Sequence, residues 1–135
     1  MTKKVKYLSS ILSPVSLGEL IDKITILEIK QIHMTGIKLK NVDKELKLLK
    51  NTLQDTNLEI DIDLINNLKE VNKKLWEIED NIRIKESNQK FDKEFIQLAR
   101  SVYKENDKRA SIKKEINQKY NSELVEEKSY NNYFI

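Results

Sequence analysis

Six apolar residues between positions 64 and 82 recur at steps that alternate between four and three residues. This spacing is typical of a helix that lays one apolar seam against a neighbouring helix. The chain also holds only two glycines and one proline among its 135 residues, so few positions favour a reversal of the chain. The pattern therefore predicts long helices packed side by side. The seam residues are Leu64, Leu68, Val71, Leu75, Ile78 and Ile82.

Two shorter helices are predicted in the first part of the chain. Ser16 stands three residues before a glutamate, which is the capping-box spacing, and it predicts the start of a helix over residues 17–35. Gly36 suits the left-handed conformation that ends such a helix. Asn41 can cap the next helix, which the apolar spacing predicts over residues 42–54.

Two longer helices are predicted after them. Residues 55–63 alternate between apolar and polar, but a single strand has no partner, so we expect a loop that ends in an aspartate cap. The seam helix then runs over residues 64–88. Asp92 caps a fourth helix over residues 93–120, which would be about 40 Å long at the usual helical rise.

These elements predict an all-α fold and a single domain over residues 1–135. The two long helices form an antiparallel hairpin, and the two N-terminal helices pack across it to give a helical bundle. We expect residues 1–15 to be irregular and residues 121–135 to form a polar and aromatic tail. The core of such a bundle is thin, so we expect a homodimer that buries more apolar surface.

Composition excludes several classes of site. Two glycines are too few for a phosphate-binding loop, the absence of cysteine excludes a thiolate zinc site, and a single histidine excludes a multi-histidine metal site. We therefore expect no metal and no cofactor. The apolar runs are too short to span a membrane, which indicates a cytoplasmic protein. Lysines outnumber acids in residues 1–50 but acids outnumber bases in residues 51–90, so nucleic-acid binding through one basic stripe is disfavoured.

Polar residues occupy several positions where the helical period requires apolar ones. In the first helix Glu28 falls near the centre of the apolar face, while Glu19 and Lys23 form a surface pair on the opposite face. A buried carboxylate needs a cationic or hydrogen-bonding partner, so Glu28 belongs either to a salt bridge or to a ligand- or proton-handling site. The apolar face consists of Leu17, Leu20, Ile21, Ile24, Leu27 and Ile32.

The two long helices carry further polar stripes. In the third helix the stripe runs beside the apolar seam, and in the fourth helix three polar residues interrupt the inward face over two turns. Antiparallel register then brings Asn106 and Arg109 toward Asn72 and Trp76. The stripe of the third helix is Asn72, Trp76, Glu79, Arg83 and Glu86, and the inward line of the fourth is Phe95, Ala99, Val102, Asn106, Arg109, Lys113, Ile116 and Tyr120.

Two interpretations of these polar residues remain open. They form either a buried ion-pair network that fixes helix register or an anion-binding pocket. In the pocket, Arg109 and Lys113 would hold an anionic sugar or sugar nucleotide, on which Trp76 would stack. Glu28 or Glu79 would then act as acid or base. The candidate ligand-binding residues are Glu28, Asn72, Trp76, Glu79, Arg83, Asn106, Arg109 and Lys113.

Five strings of residues stand out along the chain. They are GELIDKITILEIK from Gly18, LWEIED from Leu75, FIQLARSVY from Phe95, NDKRA from Asn106 and EEKSY from Glu126. Taken in order, they resemble an uncharacterised family of small bacterial and phage proteins, a domain of unknown function. The resemblance implies a protein partner of the glycosyltransferase type, because some relatives lie beside or are joined to such proteins of surface polysaccharide assembly. It also implies that the EEKSY string docks the tail onto the bundle.

Three classes of function therefore remain. The first is a non-enzymatic helical interaction or assembly module, which agrees with the coiled-coil seam, the charged faces and the lack of a catalytic set. The second is a protein or enzyme that binds a small anionic ligand, linked to surface polysaccharide synthesis. The third, nucleic-acid binding through lysine faces, ranks last. The interaction module is the main prediction, and whether the protein is an enzyme stays open.

Overall fold

The computed structural model describes residues 8–133, and over them the chain is all-helical, as predicted. Four helices follow one another: α1 (Leu17–His33), α2 (Gly36–Asp55), α3 (Ile62–Ser87) and α4 (Lys93–Lys119). The described ends on either side of this helical region, including the stretch up to Val15, lack regular secondary structure.

Two of the predicted segments extend beyond the described residues. The first seven residues of the predicted irregular segment lie outside the described part of the chain. The same holds for residues 134–135 of the predicted tail. Within the described part, no helix is long and apolar enough to cross a membrane.

Helix α1 lies at the centre of the molecule. It packs against α2 on one side and against α3 and α4 on the other, whereas α2 packs along α1. Two apolar clusters result, and Leu53 near the end of α2 reaches both of them. The first cluster contains Leu20, Ile24, Leu27, Val42 and Leu46, and the second contains Ile21, Leu64, Leu68 and Ile116.

Helices α3 and α4 form the predicted antiparallel hairpin, and they extend well beyond α1. Their 26 and 27 residues compare with 17 in α1. The last residue of α1, His33, stacks on Trp76, so the hairpin beyond that level has no third helix beside it. Residues 76–104 accordingly contain no buried side chain. We call residues 76–104 the arm, and α1, α2 and the adjoining parts of α3 and α4 the head.

Several predicted caps and seam positions are confirmed. The Ser16 side chain accepts a hydrogen bond from the Glu19 amide at 3.1 Å, and the Asp92 side chain accepts one from the Phe95 amide at 3.0 Å. The seam of α3 is buried from Leu64 to Leu75. Its last two residues, Ile78 and Ile82, are only partly buried because they lie in the arm.

The first two helix boundaries were predicted incorrectly. Helix α1 ends at His33, and Gly36 begins α2 rather than ending α1, although its φ of 63° is left-handed as expected. Asn41 lies inside α2 and does not cap it. The reason is that residues 37–40 are good helix formers, and a two-residue link is enough once glycine turns the chain.

Three smaller predictions also need correction. Helix α3 begins at Ile62, capped by Asp61, whose side chain accepts from the Asp63 amide at 2.9 Å. Ile32 is 73% exposed, because it lies in the last turn of α1 where neighbouring helices no longer cover it. Ala99 is exposed because it lies in the arm.

Candidate functional site

The first turn of α1 is anchored to the end of α4. The amide of Leu17 donates to the Ser122 hydroxyl at 3.1 Å, and the amide of Gly18 donates to Asn117 Oδ1 at 2.7 Å. These amides belong to the first helical turn, which has no intrahelical acceptors of its own. A Cβ at Gly18 would lie 2.6 Å from the carbonyl oxygen of Lys113, so only glycine allows the two backbones to approach this closely.

One turn further along α1, a polar network crosses the interface with the hairpin. Asn72 of α3 donates to Asp22 Oδ1 at 2.8 Å and to Thr25 Oγ1 at 2.9 Å. Its own oxygen accepts from Arg109 of α4 at 3.2 Å, and Arg109 also donates to Asn106 at 2.6 Å. Asp22, Thr25 and Asn72 are 5%, 0% and 4% exposed. Each of these three buried side chains therefore has a hydrogen-bond partner inside the protein, as low-dielectric surroundings require.

Lys113 of α4 continues the network on the same face of α1. Its ammonium group donates to Glu19 at 2.6 Å and to Glu126 at 2.9 Å, and it lies 3.8 Å from Asp22. Burial acts to lower the pKa of Lys113, but its hydrogen bonds to Glu19 and Glu126 and the charge of Asp22 raise the pKa above its ordinary value. Lys113 is therefore a cation whose charge is balanced by acids from α1 and from the chain after α4.

The segment after α4 returns along the same helix. Glu126 bonds Lys113 and also Lys128 at 2.9 Å, and these two cations lower the pKa of Glu126 to about 2. Glu127 lies 3.7 Å from Lys114. A cavity of about 280 Å³ lies between this segment and α4. It is lined by Ala110, Ser111, Lys113, Lys114, Asn117, Glu126, Glu127 and Lys128.

Four of the eight predicted site residues come together in this network, namely Asn72, Asn106, Arg109 and Lys113. The expected approach of Arg109 to Asn72 is confirmed, and Arg109 also donates to Asn106. The other four lie elsewhere. Glu28 is 3.6 Å from Lys69, Trp76 stacks on His33 with ring centroids 4.8 Å apart, and Glu79 and Arg83 form an exposed pair at 3.6 Å on the arm.

Two predictions about α1 are wrong. Glu28 is not at the centre of a buried face, since its side chain is 28% exposed. Glu19 does not pair on the surface with Lys23, because it bonds Lys113 instead. Both errors have one cause. The prediction assumed that α1 buries a single face, whereas α1 is covered on two sides and its second buried face contains Asp22.

The sequence contained a signal for this second face. Gly18, Asp22, Thr25 and Ile29 follow one another at steps of four, three and four, and all four are buried. This is the spacing of a helix seam. It was overlooked because two of the four positions are polar and one is a glycine. Other buried polar residues that were not singled out are Ser16, Glu105 and Asn117.

Comparison with known proteins adds a family but no activity. A family model described as a family of unknown function, DUF6165, matches residues 12–134. The chain belongs to this family. The resemblance to an uncharacterised family is thereby confirmed, and the DUF6165 match takes in the head, the arm and the segment that returns along α4. No curated protein and no solved structure matches the chain.

Proposed function

We propose that this protein is a non-enzymatic helical interaction module, in which the head is a rigid base and the arm is the docking element. The observation that carries the proposal is that residues 76–104 bury no side chain although they display large apolar residues. Those more than a third exposed are Ile84 at 57%, Phe91 at 57%, Ile96 at 53% and Tyr103 at 40%.

Two helices alone leave most of their apolar surface in water. In the arm the seam residues Ile78, Ile82, Phe95 and Leu98 are only partly buried, because each helix has a single neighbour. A further helix or helix pair from another molecule would complete a three- or four-helix bundle around this seam. Apolar burial contributes about 25 cal/mol per Å², so covering the seam of the arm would stabilise an association.

The polar network of the head supports the same proposal by a separate argument. Its cations are already engaged: Lys113 contacts three carboxylates, and Arg109 donates to two amide oxygens. Buried polar groups that all have partners favour one packing arrangement over its alternatives. We therefore assign the network an architectural role, in which it fixes the angle at which α1 lies on the hairpin and so the direction of the arm.

A small-anion site is the second candidate, and the cavity beside Lys113 is the observation in its favour. Lys114, Lys128 and Ser111 also line it. The acids of the same cavity weaken this candidate, because Glu126 and Glu127 would compete with an incoming anion. Thermal unfolding with inorganic phosphate and a panel of sugar nucleotides tests it. A midpoint raised in wild type but not in Lys114→Met, which removes an exposed cation of the cavity, would favour a binding site.

The family resemblance suggests one class of partner for the arm, a protein of the glycosyltransferase type. We place this interaction in the cytoplasm, on the ground that 35% of the residues are charged and the chain has no cysteine. The partner class and the compartment are both assigned to the interaction of the arm, so both depend on the interaction module.

Site-specific photocrosslinking in the native host tests the interaction module directly. A benzophenone amino acid replaces Ile84 on the arm, and in a matched control it replaces Ile37 on α2, which is 71% exposed. We expect discrete protein adducts from position 84 and none from position 37. Equal labelling from both positions, or adducts from position 37 alone, would contradict the assignment of the arm as the docking element.

A further inference from the structure

We propose that the partner of the arm is a second copy of this chain, with the two arms antiparallel about a two-fold axis. This inference rests on the proposed function and adds to it the identity and orientation of the partner. It is carried by three observations: the surface area of the chain, a groove at the middle of the arm, and the order of charges along the arm.

The chain exposes more surface than a compact monomer of its mass. It exposes 10807 Å². A compact monomer of its mass, 16.0 kDa, exposes about 7,400 Å². The excess of about 3,400 Å² is several times the roughly 800 Å² that each partner loses in a standard interface. The arm, which has no buried side chain, contributes to this excess, as do the irregular terminal segments, in which Leu8, Ile11 and Leu12 are more than 80% exposed.

A groove of about 620 Å³ lies on one face of the arm, between α3 and α4. Asn81, Ile84 and Lys85 line it from α3, and Lys93, Glu94, Gln97, Leu98 and Ser101 line it from α4. Ile84 is 57% exposed at its edge. Side chains of a second helix can fill a groove of this kind by ridges-into-grooves packing.

The groove is centred on the middle of the arm. Lys74 and Glu105 approach to 3.9 Å near the head, and Lys85 and Glu94 approach to 2.8 Å near the turn, which fixes the register of the hairpin. In this register Leu98 is level with the seam residue opposite it, Ile82, at the midpoint of the arm. A two-fold axis at this level would place the groove of one chain over the groove of the other, as an isologous interface requires.

Charges on α3 and the turn are arranged for antiparallel pairing. The acids Glu77 and Asp80 lie toward the head, while Lys90 and Lys93 lie toward the turn, and all four are exposed. Glu77 lies five residues from Ile82 toward the head, and Lys93, the first residue of α4, lies five residues from Leu98 toward the turn. A two-fold axis at the level of Ile82 and Leu98 therefore places Glu77 of one chain level with Lys93 of the second copy. Parallel arms would instead bring like charges together, which disfavours association.

The same pairing is repeated on the other side of the axis, because Lys93 of the first chain is level with Glu77 of the second copy. A surface that is complementary to itself in this way fits a second copy better than an unrelated partner.

The first test is the oligomeric state of the full chain, measured by analytical ultracentrifugation over a range of concentrations. We expect a species of twice the 16.0 kDa chain mass. Ile84→Glu should give a monomer with an unchanged circular dichroism spectrum, because it places a carboxylate at the interface but on a side chain already exposed in the monomer. Ile37→Glu on α2 is the matched control and should remain dimeric. A monomeric wild type, or a dimeric Ile84→Glu, would overturn the proposal.

The second test addresses orientation through a charge swap. Glu77→Lys and Lys93→Glu should each raise the dimer Kd about tenfold, because each sets like charges opposite each other twice per dimer. The double variant should return the Kd to within about threefold of wild type. Single variants with an unchanged Kd would contradict antiparallel arms.

These outcomes separate the inference from the proposed function. A crosslink from position 84 to a different protein, with a monomeric purified chain, would keep the interaction module and reject the second copy. The absence of any arm-specific crosslink would reject both.

Discussion

The head and the arm are built from the same two helices, yet only the head has a core. In the head, α1 lies against α3 and α4, and Leu68 and Ile116 are completely buried. In the arm the two helices pack on each other without a third helix, Tyr103 meets the ring of Tyr133 from the chain after α4, and Ile82 on the same seam is partly exposed. Burial in this molecule is therefore supplied by the third helix rather than by the hairpin. Beyond the reach of α1, the hairpin has an apolar seam that stays partly exposed.

Truncating one seam residue in each region should give the largest contrast. Leu68→Ala opens a cavity in the head and should lower the free energy of unfolding by about 3–5 kcal/mol. Ile82→Ala should cost about 1 kcal/mol, because solvent already reaches the side chain. Denaturant titrations at protein concentrations that favour the monomer measure both values. Similar losses at the two positions would break the distinction between head and arm.

Removing the buried cation should come next. Lys113→Met removes the cation that bonds Glu19 and Glu126 and lies 3.8 Å from the buried Asp22, and it should cost about 3 kcal/mol. The matched control is Lys114→Met, one residue away and 48% exposed, which should change the free energy of unfolding by less than about 0.5 kcal/mol. Thermal and denaturant unfolding of both variants measure the difference. If Lys113→Met were as stable as Lys114→Met, the network would not stabilise the head.

The two glycines offer a contrast of intermediate size. Gly18→Ala forces a Cβ against the backbone of α4, which neither helix can avoid without moving, and should cost about 2 kcal/mol. Gly36→Ala meets no atom within 4 Å and should cost about 1 kcal/mol, owing to its left-handed backbone. Thermal unfolding measures both losses. A smaller loss at Gly18 than at Gly36 would mean that the contact of α1 with α4 is looser than the structure indicates.

The smallest effect concerns the pH dependence of the head. The folded-state pKa of Glu126 is about 2, below its ordinary value of 4.5. A depressed pKa contributes stability that is present above pH 4.5 and is lost as the pH falls toward 2. Because the side chain is 39% exposed, we expect Glu126→Gln to cost less than about 1 kcal/mol at pH 7. The difference from wild type should shrink between pH 5 and pH 2 and at high salt, as followed by denaturant titration.

Much of the fold could be predicted from local patterns. Ser16 and Asp92 cap helices because a side-chain oxygen next to an apolar helical run satisfies amides that have no other acceptor. The seam beginning at Leu64 follows from spacing alone. The link between the first two helices was harder to predict, because Gly36 has the same left-handed φ whether it ends one helix or begins the next.

The candidate site could be predicted only in part. Arg109 was found because it interrupts an apolar line, and its meeting with Asn72 followed from antiparallel register. Asp22 was overlooked because amphipathic reasoning assigns one buried face to a helix, and it cannot foresee a helix covered from two sides. Glu126 belongs to a segment without helical periodicity, so its contact with Lys113 had no local signal.

The central position of α1 also determines when the molecule can be completed during synthesis. Gly18 and its acceptor Asn117 are separated by 99 residues, so α1 cannot form this contact until nearly all of α4 has been made. Until α3 has been made, α1 has only α2 beside it and Asp22 has no access to its donor Asn72. The arm is local in sequence and can form as soon as α4 begins to emerge. The head is thus begun first and finished last, and its apolar clusters are the part of a nascent chain that a chaperone would need to cover.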